Sequence, residues 1–396
     1  MLWRPRRCRR CRNWRWSWRR WQTTYRQVSC RRSRSPRFTR SICVPARRME
    51  PRRDTGGRTW FKRVAAVRLS ISYRMHFRYS EAVSESQNEV RVRPRSDERQ
   101  QVLSYRLSSL PELPVLSVID YWGTCVEHLG VRTPHTELEL LAEAAVETEP
   151  SPAMDVAPAA QTLVDEGFRS EHYEYLAPSA HVCWEPGDAV AGLGTSAVAD
   201  AASVPEMVTA VVAEVRSALR YQQGSTDIGV TLPELLAGGE GVCQDFAHLA
   251  AGMLRSTGVP TRYVSGYLFA LDETAPVAGD VDVVDSAPEG AVSVQTHAWI
   301  EAAIPGWGWW ALDPTNGGEV GERHVVIGCG RDYGDVPPVR GVFAGSGTPE
   351  VDSEVVIGRQ ADDGPENPAG ASARPRPVRV VPQNPNRRDQ QSAQQQ

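Results

Sequence analysis

The sequence predicts an α+β chain: an N-terminal all-β domain, then a core in which a helix beginning at Cys243 packs on an antiparallel sheet carrying His297 and Asp313. Three patterns predict it. From Val67, Leu69, Ile71, Tyr73, Met75, Phe77 and Tyr79 alternate with Arg68, Ser70, Ser72, Arg74, His76 and Arg78, the period of a half-buried strand. After Cys243, Phe246, Leu249, Ala250, Met253 and Leu254 recur at the spacing of a helix with one buried face. The runs 295–303 and 307–313 then alternate on either side of Ile304-Pro305-Gly306.

In chain order, residues 1–66 stand apart. They hold 22 of the 45 Lys and Arg, six of the 12 Trp, and only two of the 48 acids, Glu50 and Asp54. The remainder, 67–396, therefore carries 23 basic and 46 acidic residues, a balance that argues against nucleic acid or an anionic membrane as partner of the folded part. No apolar h-region follows the basic run, so a signal peptide is not expected. Cys8, Cys11, Cys30 and Cys43 lack the second close pair of a zinc site. A nucleic-acid-binding arm is one reading of the Arg/Trp composition. The preferred expectation is translated upstream sequence, because the domain pattern begins abruptly at Val67, and valine codons serve as alternative bacterial starts.

Between 67 and 148, strand-like runs fall around 90–92, 102–107, 115–121 and 136–146, with turn signals at Pro94, Pro111, Pro114, Gly123, Gly130 and Pro134. This reads as a small β-sandwich or barrel. Residues 149–180 are loop-rich. Ser203-Val204-Pro205-Glu206 opens a helix whose buried stripe is Val208, Val211, Val212, Val215, Ala218 and Leu219, and Thr231-Leu232-Pro233-Glu234 opens a second, shorter one. Strands are expected at 261–269, 292–303 and 307–313, and the sheet continues at 325–327 with Tyr333. The segment 271–290 has six acids and no base, so an exposed loop is expected. The core should end near 344, with 345–396 a disordered tail. No run of 18 apolar residues occurs. Cys125, Cys183, Cys243 and Cys329 are sparse, as reduced thiols in a cytoplasmic protein would be.

Chemistry concentrates at three places. Gly239 and Gly241 interrupt any helix before Val242, so Cys243 takes the N-terminus, where unpaired N–H groups and the macrodipole favour a thiolate. If Ile304-Pro305-Gly306 is a three-residue hairpin loop, Ala303 faces Trp307 and His297 lies directly opposite Asp313, within reach of a hydrogen bond. A cysteine, a histidine and a carboxylate in this arrangement make an activated nucleophile, a base and its orienter. His248 is five residues from Cys243, about 140° round the helix, and points elsewhere. Zinc on Cys243, His248 and His297 would lack a fourth ligand. Asp245, in the first turn, reads as a structural dipole partner. Trp299 either shields the site or belongs to the core.

The segments Gly241-Val242-Cys243-Gln244-Asp245-Phe246-Ala247-His248, Thr296-His297-Ala298-Trp299 and Leu312-Asp313-Pro314-Thr315-Asn316 resemble the Cys/His/Asp core of the transglutaminase-like superfamily. With the β-domain ahead of it, notably 84–94, the chain is similar to the bacterial branch, over roughly 67–335. The resemblance implies a papain-like transglutaminase core with Cys243, His297 and Asp313 catalytic. It implies acyl transfer on amide substrates through a Cys thioester, as protease or amidase, glutamine deamidase or transglutaminase, with a catalytically idle binding module as the alternative. The expected partner is a protein or peptide amide, with an amine acceptor as second substrate if transfer occurs. No cofactor or metal is expected. Gln244 stands where the animal crosslinking enzymes have Trp, and no EF-hand-like loop appears, so calcium activation is not implied.

Overall fold

The computed structural model describes residues 66–269, 291–294 and 296–360; the expected upstream sequence at 1–65, the expected acidic loop at 271–290 and the 361–396 part of the expected tail lie outside the described residues, as do 270 and 295. The alternating run becomes β1 (Val67–Val83), followed by β2 (Glu85–Val90), β3 (Gln100–Leu110), β4 (Leu116–Ile119), β5 (Cys125–Val131) and β6 (His135–Thr148). A short helix, α1 (Glu166–Glu171), lies in the loop-rich stretch, and α2 (Ala189–Ala197), α3 (Val204–Ala218) and α4 (Leu232–Gly238) follow. The two-residue strands β7 (Arg220–Tyr221) and β8 (Glu240–Gly241) pair in parallel on either side of α4 and lead into α5 (Cys243–Ser256). The rest is β9 (Thr261–Leu268), β10 (Ala291–Val294), β11 (Thr296–Ile304), β12 (Gly308–Asp313), β13 (Gly318–Glu319), β14 (His324–Gly330), β15 (Val339–Ala344) and β16 (Pro349–Arg359).

Local signals set the helices. Ser203 caps α3, accepting from Glu206 N at 3.4 Å, and Thr231 and Glu234 form the reciprocal capping box of α4. Helix α5 buries Phe246, Leu249, Ala250, Met253 and Leu254 against the even-numbered face of β11, where Ala298, Ile300, Ala302 and Ile304 meet the apolar stripe of α3. The core sheet runs β13-β12-β11-β9-β14.

The β-domain is a sandwich of β10-β16-β1-β6-β3 and β15-β2-β5-β4, and its composition corrects the expected boundaries. Residues 349–359 are not disordered. β16 pairs with β1 from Leu69↔Arg359 to Tyr79↔Pro349, burying Val351, Val355 and Ile357. Their alternation is diluted by Pro, Asp, Glu and Gly, which is why composition reads as tail. β15 likewise leaves the expected core to pair with β2. The single strand expected at 292–303 is two: β10 joins β16 and β11 joins β9, so the chain changes sheets between them. Tyr333 lies in a 3-10 turn beyond β14, not in the sheet. Gly130 is no turn but part of β5, where a Cβ would lie 2.3 Å from Gln87 Oε1.

A second hydrophobic core is shared between the two domains. Tyr267, Val325 and Ile327, from β9 and β14, pack with Leu69, Tyr73, Phe77 and Leu140 of the sandwich. Tyr267 donates to Val92 O at 2.7 Å, and Gln100 brackets Val326 with Oε1 accepting from its N–H at 2.7 Å and Nε2 donating to its carbonyl at 2.9 Å.

On the opposite side of β11 from α5, half-buried Arg262 and buried Glu301 are direct cross-strand partners and form an ion pair, with the guanidinium 4.2 Å from the Trp309 ring centroid. Glu301→Gln is expected to lower unfolding free energy by about 2–4 kcal/mol, because it leaves a half-buried guanidinium without its counter-charge. Urea denaturation checks this; a loss under about 1 kcal/mol would place the pair in the weak, solvent-screened class.

Candidate functional site

Val242 takes an extended conformation and α5 begins at Cys243. Asp245 reaches back to accept from Val242 N at 2.9 Å and from Thr226 Oγ1 at 2.5 Å. Asp245 is therefore the box residue that fixes the helix start, and burial pushes its pKa up against those two donors. The first-turn N–H groups of Cys243 and Gln244 have no carbonyl four residues behind them within the helix. Cys243 is half-buried, whereas His297, Asp313 and His324 are buried, so the thiol is the accessible end of the cluster.

Helix and sheet do not meet face to face at this point. His297 is odd-numbered and so lies on the side of β11 away from α5. It is brought to Cys243 because the helix N-terminus ends at the first residues of β11, with Cys243 Sγ 3.9 Å from Thr296 O. His297 Nε2 lies 2.7 Å from Asp313 Oδ2, and the Cys243 thiol is near enough to the imidazole to favour its charged form.

The register differs from the expected one. Ile304 pairs with Gly308 and Ala303 with Trp309, so the loop is Pro305-Gly306-Trp307, with Gly306 at φ 77° in the left-handed region. Continuing the ladder sets Asp313 across from Trp299, and His297 sits one pleat further along. The pair nevertheless forms, because a two-residue shift preserves the face on which every side chain lies.

Asp313 is 1% exposed and saturated with donors. Oδ1 accepts from Thr315 N at 2.9 Å and Asn316 N at 3.1 Å. Oδ2 accepts from His297, from Asn316 Nδ2 at 2.6 Å and from His324 Nε2 at 3.3 Å. Burial would raise the carboxyl's pKa, but the facing His297 and these donors hold it well below the usual range. Burial likewise opposes the charge on His297; Asp313 and Cys243 outweigh it and lift the imidazole to about 10.

His324 is a member that sequence reasoning missed. It stands just before the expected strand 325–327, and no spacing links it to Asp313. Trp299, fully buried, packs on both imidazoles, 6.1 Å from His297 and 5.3 Å from His324 between ring centroids, and so serves as the core beneath the cluster. His248 does point elsewhere: it accepts from Tyr333 N at 3.1 Å and stacks on His181, and burial drives its pKa down to about 3. It cannot join Cys243 and His297 around zinc.

His297, Asp313 and His324 offer ligand-type atoms within 4.8 Å of one another. The hydrogen atoms argue against a metal there. Gly321 N–H donates to His324 Nδ1 at 3.2 Å, so Nε2 carries the proton and aims it at Asp313, where a metal ligand would need a free lone pair.

Comparison with known proteins gives two family matches. The Transglutaminase-like superfamily profile matches residues 192–314, which include Cys243, His297 and Asp313, and the Bacterial transglutaminase-like N-terminal region matches 69–147, from β1 to β6. An uncharacterized protein of Mycobacterium leprae is 36% identical over 295 residues, covering 74% of this chain and 99% of the relative. An uncharacterized protein of Mycobacterium tuberculosis H37Rv is 31% identical over 290 residues, covering 70% and 87%. The solved structure of a proposed cysteine protease from Cytophaga hutchinsonii superposes with a TM-score of 0.54 at 21% identity, over 75% of this chain and 98% of that one, a likeness of fold.

Proposed function

The chain belongs to the transglutaminase-like superfamily, with the bacterial N-terminal domain ahead of its core, and on that premise we propose that it is a thiol-dependent acyl transferase acting on protein or peptide amides and ending in hydrolysis. The observation that carries this reading is the placing of the accessible Cys243 thiol, 3.9 Å from Thr296 O, beside His297, whose Nε2 lies 2.7 Å from the buried Asp313 carboxylate.

Each group then has a role. His297 Nδ1 takes the thiol proton while its Nε2–H stays on Asp313, which fixes the tautomer and stabilises the imidazolium. The thiolate attacks the amide carbonyl, and the oxyanion is stabilised by the Cys243 N–H at the positive end of α5. Nδ1–H passes to the departing nitrogen as the C–N bond breaks, leaving a thioester. His297 then removes a proton from water, hydroxide attacks, the C–S bond breaks, and the thiolate and imidazolium are restored. The sparse cysteines of 67–396 support a cytoplasmic setting for this chemistry.

Full-length chain and its Cys243→Ala variant, each incubated with a glutamine-containing protein and a tagged primary amine, test the reading by mass spectrometry. Cysteine-dependent cleavage or a one-dalton deamidation is expected. Cysteine-dependent amine adducts would replace hydrolysis by transglutamination, and product formation by the variant would overturn the thiol mechanism.

The pH dependence follows from His297. The folded protein holds the imidazolium proton up to about pH 10, whereas the unfolded chain releases it near 6.5. The stability this contributes is complete below about 6.5 and lost as pH rises through about 10. The alkaline limb of the rate profile is expected to fall with a midpoint near 10, since the leaving amine is protonated from the imidazolium. A midpoint near 7 would contradict the pairing with Asp313.

A further inference from the structure

We propose that His324 is a positioning residue for Asp313, a neutral hydrogen-bond donor that fixes the carboxylate and that is itself held in place by the N-terminal sandwich. The proposal rests on the reading of Cys243, His297 and Asp313 as the reacting line, and extends it to a residue and a domain outside it.

Most of the donors on Asp313 come from its own hairpin or the turn that follows: His297 across the ladder, Thr315 and Asn316 just beyond. His324 arrives from β14, at the far edge of the sheet order from β12, and donates to the oxygen that His297 uses. Its charge state suits that task. With Nδ1 occupied as acceptor for Gly321 N–H, His324 donates without being a cation, and burial holds it neutral by lowering its pKa. An imidazolium there would compete with His297 for the carboxylate's charge. A neutral donor instead restrains the carboxylate's rotation and leaves its attraction to His297 intact.

The segment carrying His324 is tied to the sandwich on both sides. Thr148 Oγ1 donates to Glu322 O at 2.6 Å, and Gln100 holds Val326 by two hydrogen bonds. Arg95 N adds a third bond to the Val326 carbonyl, at 3.1 Å. Phe269 N donates to Arg323 O at 2.9 Å, and the His324 ring packs T-shaped against Trp299. A β-domain that contributes no reacting group thus determines where one donor to Asp313 stands.

Two full-length variants test this. His324→Gln keeps a donor and an acceptor on a side chain of similar reach; His324→Phe keeps a ring and removes both. The first readout is the rate at which Cys243 is alkylated by iodoacetamide at pH 7, resolved by peptide mass spectrometry and expressed per folded molecule from the melting curve. The second is kcat against KM on whichever amide substrate wild type turns over. The Phe variant is expected to lose about ten- to a hundredfold in Cys243 alkylation and in kcat, the scale of one hydrogen bond to a charged group, with KM unchanged. The Gln variant is expected within about threefold of wild type, as a retained donor requires. If the Phe variant melts lower but its folded fraction alkylates and turns over as wild type does, His324 is structural only and the proposal is overturned. Equal losses in both variants also overturn it. If wild type itself shows no preferential alkylation of Cys243, the reading of the reacting line fails, and the proposal fails with it.

Discussion

Cys243→Ala is expected to abolish turnover, with a loss of at least ~10^4-fold in kcat, the scale set by removing the nucleophile from comparable triads. Folding should be nearly unaffected. The thiol is half-buried, its hydrogen bond to Thr296 O is long at 3.9 Å, and the cap that starts α5 is made by Asp245. Cys243→Ser should be almost as inactive, since a hydroxyl in this place is a far weaker nucleophile at neutral pH. A melting curve beside each rate separates the two effects. Retention of more than about one part in a hundred of wild-type kcat by the alanine variant would remove Cys243 from the chemistry.

Asp313→Asn should act on both activity and stability. Three donors converge on Oδ2, from His297, His324 and Asn316, while Oδ1 takes two backbone N–H groups. An amide has one acceptor end, so whichever way Asn turns, its NH2 confronts donors, and buried polar groups are left unpaired. His297 also loses the charge that lifts it to about 10, so the alkaline limb should move to lower pH. We expect a loss of about 10^2–10^4-fold in kcat, since the base then adopts the wrong tautomer part of the time, together with a fall in melting temperature. The sign of the stability change with pH is set by the depressed Asp313 carboxyl. What it contributes is present above the ordinary carboxylate pKa and vanishes as pH falls through its folded value, so the gap between wild type and variant should narrow on acidification. An unshifted alkaline limb would contradict the assignment.

Much of this site was legible because its signals are local. Cys243 is placed by a glycine break and a helical stripe, and Asp313 is placed on the face of His297 by strand parity, which survives the two-residue error in the hairpin register. What escaped depends on distant partners. His324 meets Asp313 only because β14 is fastened to the sandwich by Gln100 and Thr148, contacts that span 226 and 174 residues of sequence. The strand Pro349–Arg359 becomes visible once β1 offers it a ladder, since its charges and glycine mask the alternation of Val351, Val355 and Ile357. Gly130 reads as a turn until Gln87 is seen lying over it. Helix α2 was missed because Gly192 and Gly194 dilute its apolar pattern, although Asp188 caps it by accepting from Ala191 N.

The most direct measurement is the alkylation rate of each cysteine of the full-length chain at pH 6, in wild type and in His297→Ala, resolved by peptide mass spectrometry. A thiolate held by His297 predicts that Cys243 labels at least about tenfold faster than Cys125, Cys183 and Cys329, and that the advantage disappears in the variant. Labelling of Cys243 no faster than that of Cys183, unchanged by the loss of His297, would contradict the account.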